Sequence, residues 1–287
     1  MKVRSSEPLQ SDGLALPEVG DWAEMKYELV EHYSQMVSTS MKGKWTRAYL
    51  DLFAAAGWAR VKGTNRILRG TAMRSLGVDP PFDRYVFCDI DSTLLDALEI
   101  RVSHDFPRAQ VSYVRGDCNE TIERVIAELP GEGRSPSVLS FCVVDPRNTG
   151  DLRFSTIERL AFVEPGVERR IDFLVLIPSF MDAHREQDYY LDPSNTRLAQ
   201  FLGNASWRDD WHEEVRRGHP RNFAIFLVDM FGQSMQRLGY RWDLENAILR
   251  TKGQQNLYHL AFFSRNKLGD KFAREARKSA SKQRPLF

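Results

Sequence analysis

The chain has 287 residues, 42% of them apolar, and Lys+Arg 40 against Asp+Glu 39 leaves a formal net charge of +1. That length holds one large or two small domains with an adequate core, and the charge balance excludes a protein that coats nucleic acid through bulk charge. No run nears the ~18 apolar residues of a membrane span, and the N-terminus lacks the apolar core of a signal peptide, so a cytoplasmic protein is expected.

Residues 1–20 are polar, carry Pro and Gly, and read as a flexible arm. Trp22, Met25, Leu29, Tyr33, Met36 and Val37 then recur at helical spacing, with Asp21 placed to cap the helix. AYLDLF predicts a strand, GTNRILRGTAMRSLGV a loop with a short helix, RYVFCDI a strand, and DSTLLDALEIRVSHDF a helix opened by an acid. VSYVR, SVLSFCVVD and IDFLVLI are further strands, separated by the helices CNETIERVIAELP and LRFSTIERLAF. Apolar strands alternating with helices predict a doubly wound α/β fold, its mostly parallel sheet covered on both faces.

The rhythm breaks over about residues 179–219, where DAHREQDYYLDPSN and ASWRDDWHEEVRRGHPRN mix charge with aromatics, and an inserted helical segment is expected. RNFAIFLVDMFGQSMQRLG reads as a helix ending at Gly239, and WDLENAILRT with LYHLAFFS as a closing strand pair. Residues 21–265 thus form one domain in this reading. A basic helix and tail follow over 266–287, with Lys267, Lys271, Arg274, Arg277 and Lys278 as a weak pointer to nucleic acid.

Cys88, Cys118 and Cys142 show no CxxC or CxxH spacing and read as small buried apolar residues in a reducing compartment. His32, His104, His184, His212, His219 and His259 form no HExxH or His-Cys-Cys set, which disfavours a metal centre. His259 lies in an apolar strand and reads as a core histidine. A P-loop, a GxSxG elbow and the acid-x-Lys set of a nuclease are all missing. Trp207, Trp211, Tyr189 and Tyr190 are interleaved with Arg208, Arg216, Arg217 and Arg221. The acids Asp209, Asp210, Glu213 and Glu214 among them repel phosphates, which favours packing of the insertion over a nucleic-acid surface.

In an open α/β sheet, ligands bind beyond the carboxyl ends of the strands. Asp51 and the run Phe53-Ala54-Ala55-Ala56-Gly57 follow the first strand. Asp89, Ile90 and Asp91 follow the second, Asp117 and Cys118 the third, and Asp145 and Pro146 the fourth. Each alone is ordinary turn chemistry, but in order they form one rim. A carboxylate after the second strand can accept both ribose hydroxyls of a nucleoside, and one after the third can accept from an adenine amino group. The first loop must let such a ligand come close, which calls for small side chains.

DLFAAAG, CDID, RGDC and VVDP at successive strand ends resemble the core of the class I S-adenosylmethionine-dependent methyltransferases. The helix carrying Lys26, AYLDLFAAAG, YVFCDID, VRGDCNETI, VVDP, Arg185 in the insertion and the ending YHLAFFSRNKLGDKFAREARK together look like the three-Cys-motif partner proteins (TcmP), over Asp21 to Lys278. The resemblance implies S-adenosylmethionine as cofactor, held by Asp51, Phe53, Ala54, Gly57, Asp89, Ile90, Asp91, Asp117 and Cys118. It further implies Asp145 and Pro146 as the groups that meet the methyl acceptor, and Lys26 and Arg185 as substrate contacts; Arg221 is a further candidate cation. A radical-enzyme-like partner protein, which owns the three cysteines of the name, is also implied. Nucleic acid is placed ahead of protein or small molecule as acceptor.

The sequence departs from that pattern. The family usually shows Asp-x-Phe-Ala-Gly-x-Gly and then Gly-Ser-Pro, whereas here two alanines replace the middle, Gly57 alone remains, and Arg69-Gly70-Thr71-Ala72 stands in the second place. Pro146 is followed by Arg147 and Asn148, so no stacking platform for a flipped base follows. Alanine at a positive φ costs about 1 kcal/mol, and a methyl pressed on the ligand costs more. The alternative to an enzyme is therefore a non-catalytic module of the same fold that binds a protein partner or nucleic acid.

Overall fold

A computed structural model describes residues 9–131, 137–179, 186–218, 222–242, 248–250 and 256–267. Arg185, Arg221 and the basic tail beyond Lys267 lie outside the described residues. The chain divides between Val143 and Val144 into two units.

The first unit runs β1 (Glu18–Val19), α1 (Ala23–Met41), β2 (Thr46–Asp51), β3 (Trp58–Val61), β4 (Ile67–Arg69), α2 (Thr71–Leu76), β5 (Arg84–Asp89), α3 (Ser92–Asp105), β6 (Val111–Arg115), α4 (Cys118–Ala127) and β7 (Val138–Val144). Its central strands lie in the order β7-β2-β5-β6, all parallel. β2 and β5 are buried on both faces from their second residues onward, and β7 nearly throughout, whereas β6 at the end of this order is buried only at Val114. Tyr49 sits at the middle of β2 with no exposed surface, ringed by Phe82, Tyr85, Phe87 and Phe141. The chain steps from β2 to β5 to β6, then returns to β7 on the other side of β2. The strand order therefore reverses beside β2, the place where open α/β sheets hold ligands.

The sequence reading placed only a loop and a short helix between β2 and β5. The structure adds a small sheet, β1-β3-β4, with β1 parallel to β3 and β3 antiparallel to β4. Its core is Ala23, Tyr27, Val61 and Leu68, with Val19 and Trp22 against them. These strands escaped notice because they are two to four residues long, too short for a period to declare itself. Two further expectations are corrected here. Asp21 lies one residue too early to cap α1, whose N-cap is Trp22. The segment read as a flexible arm is tied down in its second half: Glu18 and Val19 pair with Arg60 and Val61.

The second unit runs α5 (Phe154–Ala161), β8 (Phe162–Glu164), β9 (Val167–Glu168), β10 (Ile171–Ile177), α6 (Gln187–Leu191), α7 (Arg197–Leu202), α8 (Trp207–Arg216), α9 (Phe223–Arg237), β11 (Ile248–Arg250) and β12 (Asn256–Phe263). β12 is antiparallel to both β10 and β11, the closing pair expected. The helices α6, α7 and α8 fill the expected insertion. Trp207 and Trp211 are buried against Phe223 and Phe226. Arg208 stacks on Trp207 and donates to the carbonyls of Tyr190, Asp192 and Asn195, so it holds backbone groups. Arg216 and Arg217 both pair with Glu213. Trp207, Trp211, Tyr190 and Arg208 are thus packing, whereas Tyr189, Arg216 and Arg217 are exposed. Across the chain the long strands are mostly parallel and flanked by helices, the Rossmann-like α/β class. Among the described residues no helix is long and apolar enough to cross a membrane.

Candidate functional site

The ends of β2 and β5 are locked together by carboxylates. Asp51, the last residue of β2, is fully buried. One of its oxygens accepts the Phe53 amide at 3.2 Å and the other the Thr71 hydroxyl at 2.5 Å. Asp51 thus shapes the loop from beneath. Its partner Thr71 opens α2, directly after Gly70, which meets the loop through the Gly57 carbonyl.

Asp89 ends β5 and is 9% exposed. Its Oδ2 accepts the Ala55 amide at 2.8 Å and its Oδ1 the Asp91 amide at 2.9 Å. The loop after β2 and the turn after β5 are therefore one hydrogen-bonded unit, reinforced by the Ala54 amide on the Cys88 carbonyl at 2.9 Å. Between the two engaged residues, Ile90 turns outward and is 63% exposed. An apolar side chain that exposed at a sheet end offers a flat ligand a surface to cover.

The alanine run resolves into distinct roles. Ala54 and Ala56 are buried, so their methyls belong to the core. Phe53 and Ala55 remain half-exposed. Ala55 has φ 49°, the left-handed region that glycine adopts freely, and among the described residues it is the one non-glycine with a positive φ. The backbone course of a glycine loop is thus kept without the glycine, and the single addition at the rim is one methyl. Gly57, at φ 75°, is irreplaceable on two grounds: a Cβ there would sit 2.5 Å from Leu98 Cδ1 and 2.8 Å from Met73 Cγ. Gly70 approaches from the start of α2, its amide on the Gly57 carbonyl at 2.7 Å.

Asp91 and Asp117 both cap helices. Asp91 is exposed and accepts the amides of Thr93 and Leu94 at the start of α3. Asp117 accepts the amide and side-chain nitrogen of Asn119, both at 2.8 Å, at the start of α4. In each, one carboxylate oxygen does the capping. Gly116, at φ 135°, makes the turn into Asp117, and its amide returns to the Asp89 carbonyl at 2.9 Å. The structure thus brings Asp51, Phe53, Ala54, Gly57, Asp89, Ile90, Asp91 and Asp117 to one end of one parallel sheet.

Cys118 is buried behind this rim. Burial pushes the Cys88 thiol up to about 11 and the Cys118 and Cys142 thiols further. All three are therefore neutral and unreactive at ordinary pH. Among the described residues no group of His, Cys, Asp and Glu is arranged to hold a metal ion.

Asp145 and Pro146 follow β7 in the second unit. Asp145 is half-buried and Pro146 buried. The following turn closes on Asp151, which accepts from the Arg147 amide and the Asn148 side chain, while Thr149 meets the buried Tyr190 hydroxyl at 2.8 Å. The Arg147 side chain is 82% exposed. Lys26 lies in α1, 5% exposed, with its ammonium 5.3 Å from the Trp22 ring and 5.1 Å from the Tyr27 ring.

No family model matches the chain. No curated protein matches it. Among solved structures, it is similar to cofactor-bound Rv0187 from MTB, at 11% identity over 89% of this chain and 86% of that one, with a TM-score of 0.46. It is similar to Trm1 from Pyrococcus horikoshii with S-adenosyl-L-methionine, at 14% identity over 92% of this chain and 61% of that one, TM-score 0.45. It is also similar to the O-methyltransferase TomG from Streptomyces achromogenes in complex with SAM, at 9% identity over 84% and 80% of the two chains, TM-score 0.44. At these scores the functional reading rests on this chain's own residues.

Proposed function

We propose that the protein is an S-adenosylmethionine-dependent methyltransferase of the three-Cys-motif partner type. The observation that carries the reading is the Asp89 carboxylate, which accepts the Ala55 and Asp91 amides and so joins the loop after β2 to the turn after β5, with Ile90 exposed beside it. It does so where the strand order reverses, and in a loop that holds a left-handed backbone with no glycine to make it cheap. Strain of that kind persists where the surroundings fix it.

The residues fit the cofactor. The outward sides of Phe53 and Ala55 with Gly57 would take its amino-acid end, the Asp89 carboxylate its ribose, exposed Ile90 a face of its adenine with Cys118 buried behind, and Asp117 the adenine amino group. Asp51 supports the loop from below, and Asp91 supports the turn. Lys26 and Arg185 are assigned to substrate or to the cofactor carboxylate. Bound S-adenosylmethionine supplies an electrophilic methyl group on a sulfonium, so the chain's own task is alignment. Asp145 and Pro146 are assigned to the methyl acceptor, a carboxylate and a carbonyl being groups that accept hydrogen bonds from an amine. Nucleic acid is placed ahead of protein as the acceptor.

Calorimetric titration with S-adenosylhomocysteine tests the reading. Saturable binding is expected, lost in Asp117→Ala. No heat at millimolar ligand would favour a non-catalytic module that binds a partner protein or nucleic acid.

A further inference from the structure

Arg101 lies on α3 and is 3% exposed. Its guanidinium is shared among three parts of the first unit. Nε and one Nη donate to the two carboxylate oxygens of Asp12, each at 2.8 Å. The other Nη donates to the Ala15 carbonyl at 3.0 Å and to the Ala56 carbonyl at 2.6 Å. The group lies over the Trp58 ring, 4.7 Å from its centroid. An arginine this buried stays charged and needs a counter-ion. Asp12 supplies it from 89 residues away along the chain.

The segment that carries Asp12 is fixed along its length. Asp12 accepts the Leu14 amide at 3.1 Å. The carbonyls of Pro17 and Val19 accept the amides of Arg60 and Lys62 at 2.9 and 2.8 Å. Ala56, the residue that Arg101 grips on the other side, directly follows the left-handed Ala55. A bidentate, charge-assisted anchor is the geometry that best holds a backbone course against its own preference. We infer that residues 12–19 form a strap that holds the Phe53–Gly57 loop in its binding shape through Arg101, a positioning residue for the proposed cofactor. This rests on the functional reading above for its ligand, and on geometry alone for its mechanics. Arg101 also keeps the Asp12 carboxyl below its ordinary range, mainly through their hydrogen bond.

The test uses the full chain as wild type, Asp12→Asn and Asp12→Glu. Two quantities are measured: amide hydrogen exchange, and S-adenosylhomocysteine affinity by calorimetry. Asp12→Asn is expected to speed exchange at residues 12–19 and 54–57 while leaving Tyr49, Leu50, Val86 and Phe87 unchanged. It is also expected to raise the dissociation constant about tenfold, the loss of one charge-assisted contact. Asp12→Glu restores most of both. Exchange that rises equally across β2 and β5, or an Asn variant that does not fold, makes the contact a matter of global stability and overturns the proposal. So does unchanged exchange in the loop, or a wild type that binds and an Asn variant that binds equally well. If the wild type takes up no S-adenosylhomocysteine while the loop alone loosens in Asp12→Asn, the strap stands and the cofactor reading falls.

Discussion

A single methyl group separates Ala55 from the residue its backbone asks for. At φ 49° a β-carbon crowds the following carbonyl, and removing it relieves about 1 kcal/mol. Ala55→Gly is therefore expected to stabilise the fold by about 0.5–1 kcal/mol, read from denaturant midpoints at unchanged m-value, and to tighten S-adenosylhomocysteine binding. A stability loss on that substitution would show that the methyl packs usefully. Gly57→Ala acts in the opposite sense. It combines a φ of 75° with contacts of 2.5 and 2.8 Å to side chains in the core, and a loss of about 2–4 kcal/mol is expected. Asp89→Ala strips the acceptor from two amides in the loop and turn, at about 1–3 kcal/mol for each donor left unsatisfied. Its effect on ligand affinity must be compared with that of Asp117→Ala, where the loss of a cap costs about 1 kcal/mol and the loop keeps its course. At this scale the sequence was legible where chemistry repeats. The acids at the strand ends are at the rim, and two of them double as helix caps. What stayed hidden is how Asp51 and Asp89 each hold the loop, because the Thr71 hydroxyl and the Ala55 amide that they accept lie 20 and 34 residues distant.

At the scale of elements, the α/β alternation was readable because β2, β5, β6, β7 and β10 are continuous apolar runs and α3 and α4 each begin at an aspartate cap. The hairpins β3–β4 and β8–β9 were not, since paired strands so short are specified by their turns and neighbours more than by their own pattern. One buried pair ties the second unit's strands to pH. The Ser179 hydroxyl, just after β10, meets Nδ1 of His259 on β12 at 2.7 Å, and both residues are buried. Burial lowers the His259 pKa from 6.5 to about 4. Between those values the unfolded chain takes up a proton that the folded chain refuses, so stability rises with pH. The contribution is complete above pH 6.5 and falls away as pH drops toward 4, amounting to about 3 kcal/mol at most. His259→Asn is expected to flatten the slope of unfolding free energy against pH in that window. An unchanged slope would mean that other groups set the acid limit.

For the whole molecule, composition indicated an adequate core, and the structure shows where its reactive groups went. Cys88, Cys118 and Cys142 are all buried thiols. At pH 7.5 their modification by an exposed-thiol reagent must wait for opening of the fold. A ligand that binds the folded chain at 100 times its dissociation constant adds about 2.7 kcal/mol. S-adenosylhomocysteine is accordingly expected to slow thiol labelling about 100-fold when reclosing outpaces modification. Rapid labelling of the native chain, indifferent to ligand, would contradict that burial. The organisation along the chain was harder to foresee than the core. A polar opening segment rich in Pro and Gly carries the composition of a tail, yet one aspartate within it neutralises an arginine that the rest of the first unit has already buried. No local pattern announces a counter-ion supplied from 89 positions away.

Trp58 lies beneath that guanidinium, and its indole nitrogen is buried without an acceptor. A cation held on one face of this partly buried indole shifts the colour and yield of its emission. Subtracting the fluorescence spectrum of Asp12→Asn from that of the native protein should therefore isolate one of six tryptophans, giving an optical readout of whether the opening segment is seated, built into the molecule and needing no attached dye.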